Sequence, residues 1–579
     1  VRESDPTQKA GREAPCRHFG RDRIGGKIVL RFTISTAKRK GAANMLDFFS
    51  TGLKQLDPAV ADLIGFEAER QARKIILIPS ESQAPEAVRE ALGSVFQNIY
   101  AEGYPNPDTH GLTEAEILDY ETQLARYRRF SDARYYKGVE YADTVEALAR
   151  RRAAEVFAAN GVSAEQIWTN VQPLSGSPAN SAIYAALVPP GATVMGMDLL
   201  HGGHLTHGSP ANRSGKLYKI VSYGIDPETE RLNYDAIEKL AREAKPKMII
   251  AGYTSYPWMP DWARFRRIAD AVGAYLLADI SHISGMVAAG VLPSPIGHAH
   301  VTSFTTHKSL YGPRGACILT TDKGLAAKID SAVFPGEQGG PHVNAIAGMA
   351  VAFKLATTPE FRDLQRRVVA NAALLAAELQ KRGIHIPYGG TDTHLLLVDC
   401  KSVRAASGVS PDRKKGTPLM GDVAARVLDL AGIVCNRNTI PGDKSARTPS
   451  GVRLGTPWIT QRGFQAEHVE GLADIIARLL KAMRPHAYAG RRGPVYSARV
   501  DFDALEEAKR AVVELAIAVD LGRDYVPGGY PHHYFMQKQT TDPGGAFDLI
   551  QILGPHVRGF LNVAMTNDAY ALEPGDSQP

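Results

Sequence analysis

A chain of 579 residues is too long for one ordinary hydrophobic core, and its 44% apolar content is ample to fill two or three. The net charge of +6 suggests a nucleic-acid partner only until it is located: residues 1–44 hold eleven Lys/Arg against four Asp/Glu, so they carry +7 while the other 535 residues carry −1. No window approaches the ~18 consecutive apolar residues of a membrane helix, and the cysteines at 16, 317, 400 and 435 lack the spacing of a zinc site or a disulfide framework. The composition therefore argues against nucleic acid and membrane as partners and fits a reducing, cytoplasmic setting.

In chain order, the basic leader 1–44 begins with Val and carries acids at 3, 5, 13 and 22. It reads as disordered, or as sequence upstream of a natural start at Met45, where MLDFFSTGLKQLDPAVADLI opens an amphipathic stretch. From about 145 to 320, helical runs such as TVEALARRRAAEVFAANG and FRRIADAVG alternate with short apolar strands, among them ATVMGMDL, KMIIAGY, AYLLADIS and HAHVTSFTT. That alternation predicts an α/β fold, a mostly parallel sheet covered by helices. In such sheets the ligand lies beyond the carboxyl ends of the strands, and there the loops GMDLLHGGHLTHG, AGYTSYP, ADISHISG and TTHKS fall together. The large domain is assigned to 45–344. A smaller α+β domain, 345–485, carries the helix DLQRRVVANAALLAAELQKRG, the strand THLLLVDC and the segment SGVRLGTPWIT. Within 486–579, GRRGPVYSARV reads as a linker and FDALEEAKRAVVELAIAV as a helix.

The strand-end loops carry chemistry. Asp279 ends an apolar strand, where an acid needs a cationic or hydrogen-bonding partner such as a pyridinium nitrogen. Lys308 ends another strand, and a desolvated lysine has the depressed pKa that Schiff-base chemistry requires. Ser175, Gly176 and Ser177 precede a helical run, so hydroxyls and free N–H groups face a phosphate there. Lysine, acid and phosphate cradle together suggest pyridoxal 5'-phosphate. The histidines at 201, 204 and 207 of HGGHLTH also match metal-ligand spacing, but no second ligand cluster accompanies them, and an imidazole from this Gly-rich loop suits stacking on a flat cofactor better; no metal is expected.

The motifs YAEGYP, TNVQPLSGSPAN, GMDLLHGGHLTHGSP, THKSLYGPRGA, FPGEQGGP and SGVRLGTPWIT together resemble serine hydroxymethyltransferase, over a span from about Met45 to about 485. The resemblance implies a fold-type I pyridoxal-phosphate enzyme (aspartate aminotransferase-like) with a seven-stranded sheet, working as a homodimer or dimer of dimers with shared active sites. It implies Lys308 as the cofactor-bonding lysine, Asp279 on the pyridine nitrogen, His204 on the ring face and His282 near the phenolic oxygen. Ser175, Gly176 and Ser177 would hold the phosphate with Gly340 of the neighbouring subunit, and Thr254 joins the cofactor contacts. Arg453 would fork onto the substrate carboxylate beside Ser80. Tyr100, Glu102 and Tyr136 would reach across the dimer interface, with Glu102 serving proton transfers and Thr305 and His307 completing the catalytic set. Leu199, Gly203, Leu205 and Asn438 match folate-contacting positions. The implied reaction moves the hydroxymethyl carbon of serine to tetrahydrofolate, leaving glycine and 5,10-methylenetetrahydrofolate.

Departures from the pattern matter. Between Pro105 and Arg134 lie 28 extra residues, 106–133, whose LTEAEILDYETQLARYRRF carries a capping box, Thr113 with Glu116, and predicts a helix, either packed on the partner subunit or acting as a lid. Ser82 stands where the family usually has asparagine, Ser281 replaces the common alanine of D-x-A-H, and KSARTPSG lacks the usual Ser-Pro-Phe. These changes touch folate more than cofactor, so a folate-independent aldolase on threonine-type or α-methylserine substrates is the alternative, and a non-catalytic folate or RNA-binding module a remote one. The C-terminal LIQILGPHVRGFLNVAMTNDAYALEPGDSQP resembles the beginning of the glycine-cleavage T protein, an aminomethyltransferase, and reads as the truncated front of a fusion.

Overall fold

The computed structural model describes residues 19–24, 27–32, 49–130, 133–403, 417–490 and 493–519. The T-protein-like stretch lies outside the described residues. The chain divides into two compact units, residues 1–66 and 67–579.

In the first unit, β1 (Phe19–Ile24) and β2 (Lys27–Phe32) pair antiparallel, with Phe19 opposite Phe32 and Ile24 opposite Lys27. These two strands are the described part of the basic leader. The two runs are separated in sequence by Gly-Gly, the dipeptide chemistry of a two-residue hairpin loop, a local signal that the basic composition obscures. A helix, Pro58–Arg73, opens after Asp57, whose Oδ1 accepts the Val60 N–H at 3.1 Å, and it leaves Val60, Leu63 and Ile64 exposed.

The second unit is built on a seven-stranded sheet. After the short β3 (Ile75–Ile76) come β4 (Trp168–Asn170), β5 (Thr193–Met197), β6 (Lys219–Tyr223), β7 (Met248–Ala251), β8 (Tyr275–Asp279), β9 (Val301–Thr305) and β10 (Ala316–Thr320). Their order across the sheet is β4-β10-β9-β8-β7-β5-β6. All neighbours from β9 to β6 pair parallel, and β10 alone runs antiparallel to both its partners. Successive residues feed opposite faces. Met195, Ile249, Leu276 and Phe304 pack with the helices Glu140–Phe157, Trp262–Val272 and Val343–Ala356, whereas Val194, Met248, Leu277 and Ile318 pack with Gly176–Leu187 and Lys323–Ser331. Burial on both faces is why these strands read as unbroken apolar runs rather than alternating ones. It also leaves the strand ends as the place where polar side chains can gather.

A second apolar cluster surrounds β11 (Leu395–Asp399), β13 (Asn436–Asn438) and β14 (Gly451–Gly455), an antiparallel sheet in the order β11-β14-β13, while β12 (Ile433–Val434) pairs parallel with β3. The long helix Pro359–Lys381 starts with Thr358 capping the Phe361 N–H and proline at its first position. The stretch read as a linker is instead β16 (Gly493–Val500), paired antiparallel with β15 (Met483–Gly490). Glycine and proline at the start of the run masked the strand-forming VYSARV that follows. The predicted terminal helix spans Phe502–Ala518, capped by Asp501, and Leu505, Ala508, Val512 and Ala516 join the second cluster.

The 106–133 insertion forms two α-helices, after a 3-10 turn at Pro107–Thr109, where one helix was expected. Thr113 and Glu116 make the predicted capping box of Glu114–Ile117, but Asp119 then binds the Thr122 hydroxyl at 2.6 Å and restarts the chain as Tyr120–Phe130. A second cap within the run outcompetes a continuous helix. The insertion packs on its own chain: Ile117 is buried, and Glu114 bridges Arg152 of the Glu140–Phe157 helix at 2.7 Å. Among the described residues no helix is long and apolar enough to cross a membrane.

Candidate active site

The loops leaving β5, β7, β8 and β9 meet, together with the start of the Gly176–Leu187 helix, around a cavity of about 230 Å³. Of the residues singled out in the sequence, Lys308, Asp279, His282, His204, Ser175, Gly176, Ser177, Thr254, Thr305 and His307 line it. The sheet order explains the gathering, since consecutive strand ends lie side by side although far apart in sequence.

Asp279 is 7% exposed, and both its oxygens are hydrogen-bonded. Its Oδ2 accepts from Asn180 Nδ2 at 2.9 Å and pairs with His207 Nε2 at 3.0 Å, and its Oδ1 accepts the Ser281 hydroxyl at 2.6 Å and the Ser281 N–H at 3.1 Å. Burial alone would raise its pKa, but the hydrogen bond and charge of His207, with Ser281 behind them, hold it well below the ordinary carboxylate range. The serine that departs from the family's alanine therefore bonds directly to the acid. Lys308 is lowered to about 8, because burial outweighs the attraction of Asp279. Its backbone is fixed by Ser82, whose hydroxyl lies 2.8 Å from the Lys308 carbonyl and 3.1 Å from that of His307.

The imidazoles around the lysine are held neutral. Burial lowers His204 and His307 each to about 4 and His394 to about 3, and His282 also lies well below its usual value. His282 Nδ1 and His394 Nε2 are 3.2 Å apart. Arg453, on β14, is 9% exposed and lowered to about 10 by burial; it donates to the Thr254 carbonyl at 2.5 Å and to Asn436 Oδ1 at 3.3 Å. It thus borders the cavity from the three-stranded sheet.

Several features of the cavity suit a phosphorylated, flat, acid-pairing group. The Thr305 hydroxyl is buried without a hydrogen-bond partner. The Gly176–Leu187 helix begins at the cavity with Ser175 extended at its N-cap and no side chain capping its first N–H groups. A Cβ on Gly176 would stand 2.8 Å from Thr305 Cγ2, so only glycine leaves the cradle open. His204, His207 and Asp279 lie close enough for a cation, within 4.8 Å, yet His207 and Asp279 already bond each other and His204 Nδ1 bonds the Thr206 hydroxyl at 2.7 Å. Organic cofactor chemistry uses this arrangement better than a metal would.

Other candidates fall elsewhere. Tyr100, Glu102, Tyr136 and Gly340 form a separate cluster: the two tyrosine rings are 5.4 Å apart, and Cβ atoms on Gly339 and Gly340 would stand 3.2 Å from Glu102 Oε1 and 3.0 Å from Tyr100 Cδ1. Tyr100 is 62% exposed, and none of the four lines the Lys308 cavity of its own chain. Behind them sits Arg134, fully buried, whose Nη1 donates to the carbonyls of Ala101 at 2.6 Å and Gly103 at 3.1 Å, on either side of Glu102, while Nη2 reaches Glu146 at 2.8 Å and Nε reaches Asp143. Gly103, at φ +107, would place a Cβ 2.9 Å from Arg134 Cα. The residues flanking the insertion are thus tied together at its base. Gly203 packs on the Met197 carbonyl and Leu205 is half-exposed; these two, like Leu199, Ser80 and Asn438, lie outside the cavity lining. Sequence reasoning missed Asn180, Tyr253 and Arg314 of the lining. His207 was noticed only for its spacing.

A model of the family described as serine hydroxymethyltransferase matches residues 53–132 and 126–476. The chain belongs to that family. Its seven-stranded, mostly parallel sheet is the fold-type I framework of these pyridoxal-phosphate enzymes, as the resemblance implied. Membership makes the chain a pyridoxal-phosphate-dependent transferase of the serine–glycine class, and the two matched segments meet at residues 126–132, the far end of the insertion.

Proposed function

We propose that this enzyme transfers the hydroxymethyl carbon of serine to tetrahydrofolate, forming glycine and 5,10-methylenetetrahydrofolate, with two chains contributing to each active site. The observation that carries the reading is the coexistence of the Lys308–Asp279 cavity with a Tyr100–Glu102–Tyr136 cluster whose tyrosines are exposed and which is anchored on Arg134. Pyridoxal phosphate, when bound, supplies an electron sink for charge developing at the substrate α-carbon. Lys308, with a pKa near 8, presents an appreciable fraction of free amine at neutral to mildly basic pH and so serves as nucleophile and local base. Asp279, kept ionised and fixed on its two oxygens by Asn180, His207 and Ser281, would hold a proton on the ring nitrogen. Ser175, Gly176, Ser177 and Thr254, with the partner's Gly340, would hold the phosphate and its surroundings, and His204, a neutral imidazole, would face the ring. Arg453 takes the substrate carboxylate, with Ser80 nearby. Glu102 moves the proton of the serine hydroxyl and, with Tyr100 and Tyr136, enters the partner's cavity rather than its own. Leu199, Gly203, Leu205 and Asn438 form the pterin side.

The test is the absorption spectrum of the holoenzyme with glycine, before and after tetrahydrofolate, beside Lys308→Ala. A lysine-dependent visible band, joined by a further red-shifted band only when both glycine and folate are present, is expected. If glycine alters the spectrum and folate adds nothing, the folate-independent aldolase replaces this reading.

A further inference from the structure

A second cavity, of about 300 Å³, opens at the far edge of the sheet, between β4, the Lys323–Ser331 helix and the first residues of the insertion. It shares no lining residue with the Lys308 cavity. Pro105, Pro107, Ala147, Ile167 and Ala326 make its walls mostly apolar. Polar groups in the lining nevertheless lack partners. The Thr169 hydroxyl is buried without a hydrogen bond on a residue only 8% exposed. Arg150 gives its Nε–H to Glu146 at 3.1 Å, but its buried Nη2 has no aligned acceptor, although it lies 3.0 Å from the same oxygen. Glu146 is already shared with Arg134 and Gln172, so it cannot satisfy Arg150 further. Lys323, over the Trp168 ring at 5.6 Å, pairs with no described acid, whereas Arg151, the third cation, is committed to Glu155 and Glu165. The acid in the lining, Asp330, has its Oδ1 occupied by Asn170 at 2.7 Å, and burial raises its pKa. Buried donors left unpaired are costly, and a carboxylate is the group that satisfies a guanidinium, a hydroxyl and an ammonium at once.

We propose that this cavity is a second ligand site, taking a small organic carboxylate with a flat apolar body, its oxygens bound by Arg150, Thr169 and Lys323. Insertion residues 106–111 roof the site, which gives the extra segment a binding role separate from the reaction.

The test is calorimetric titration of the holoenzyme with benzoate, with benzyl alcohol as the uncharged probe of the same shape. Benzoate is expected to bind at least tenfold more tightly than benzyl alcohol, and both Thr169→Val and Lys323→Gln to weaken it by threefold or more. Val is nearly isosteric with Thr and Lys323 is exposed, so both variants are expected to keep the wild-type cofactor absorbance, which establishes that they are folded. No benzoate heat, equal binding of the two probes, or binding that survives both substitutions, as it would at Arg453, overturns the proposal.

Discussion

The Lys308 cavity and the Tyr100–Glu102 cluster are made of similarly polar residues but are built in opposite ways. In the cavity, Asp279 accepts four hydrogen bonds on its two oxygens, desolvation holds His204, His282 and His307 neutral, and the lysine is desolvated. Its chemistry is set within one chain. The cluster keeps its tyrosines toward solvent and is fixed by the Arg134 guanidinium on the carbonyls either side of Glu102 and by the Tyr135 N–H on the Glu102 carbonyl. If two copies share their active sites, as proposed, the cluster of one chain would complete the cavity of the other.

The sharpest way to break that comparison is to disable each half separately. Lys308→Ala and Glu102→Gln homodimers are each expected to lose at least about 10² in kcat. Mixing the two variants should restore roughly one quarter of wild-type activity, because half of randomly paired dimers are mixed and each holds one intact site. No recovery on mixing would place Glu102 in its own chain's site. Next, Arg134→Met tests the anchoring: it leaves the buried Glu146 and half-buried Asp143 beside an apolar chain and is expected to destabilise by about 3–5 kcal/mol in denaturant unfolding. The Lys308 pKa should move little, since Arg134 lies outside that cavity.

The neutral histidines give the cavity a pH signature that the cluster lacks. His204, His307 and His394 sit at about 4, 4 and 3 in the fold and near 6.5 when unfolded, so between those values the unfolded state binds the extra protons. Apoprotein stability should therefore be intact above pH 6.5 and fall as pH drops toward 4, by up to about 1.4 kcal/mol per unit for each imidazole. Thermal unfolding of the apoprotein between pH 7 and 5 checks this; a flat profile would mean that the imidazoles reach water. The smallest effect belongs to the insertion. Thr113→Ala removes the cap of Glu114–Ile117 and should cost about 1 kcal/mol locally, seen as faster amide exchange there with unchanged cofactor absorbance.

Much of this was legible in the sequence because it is local. Apolar runs broken by Gly, Asp and His loops give the order of strands and helices, and the capping box of Thr113 and Glu116 appears as read. Where local signals compete, the reading slipped: Asp119 split one helix into two, the basic composition obscured the paired strands β1 and β2, and the Gly/Pro-rich start hid β16. Sequence by itself determined which chemical groups stand at the strand ends, since residue type and strand boundary are both written in neighbouring positions. Only the tertiary structure decided what those groups became. That Ser281 bonds Asp279, that Ser82 holds the Lys308 carbonyl 226 positions away, and that Arg134 pins both flanks of Glu102 depend on strand order and on burial. Desolvation and partner distance set a pKa, and neither is a property of a residue's neighbours in the chain.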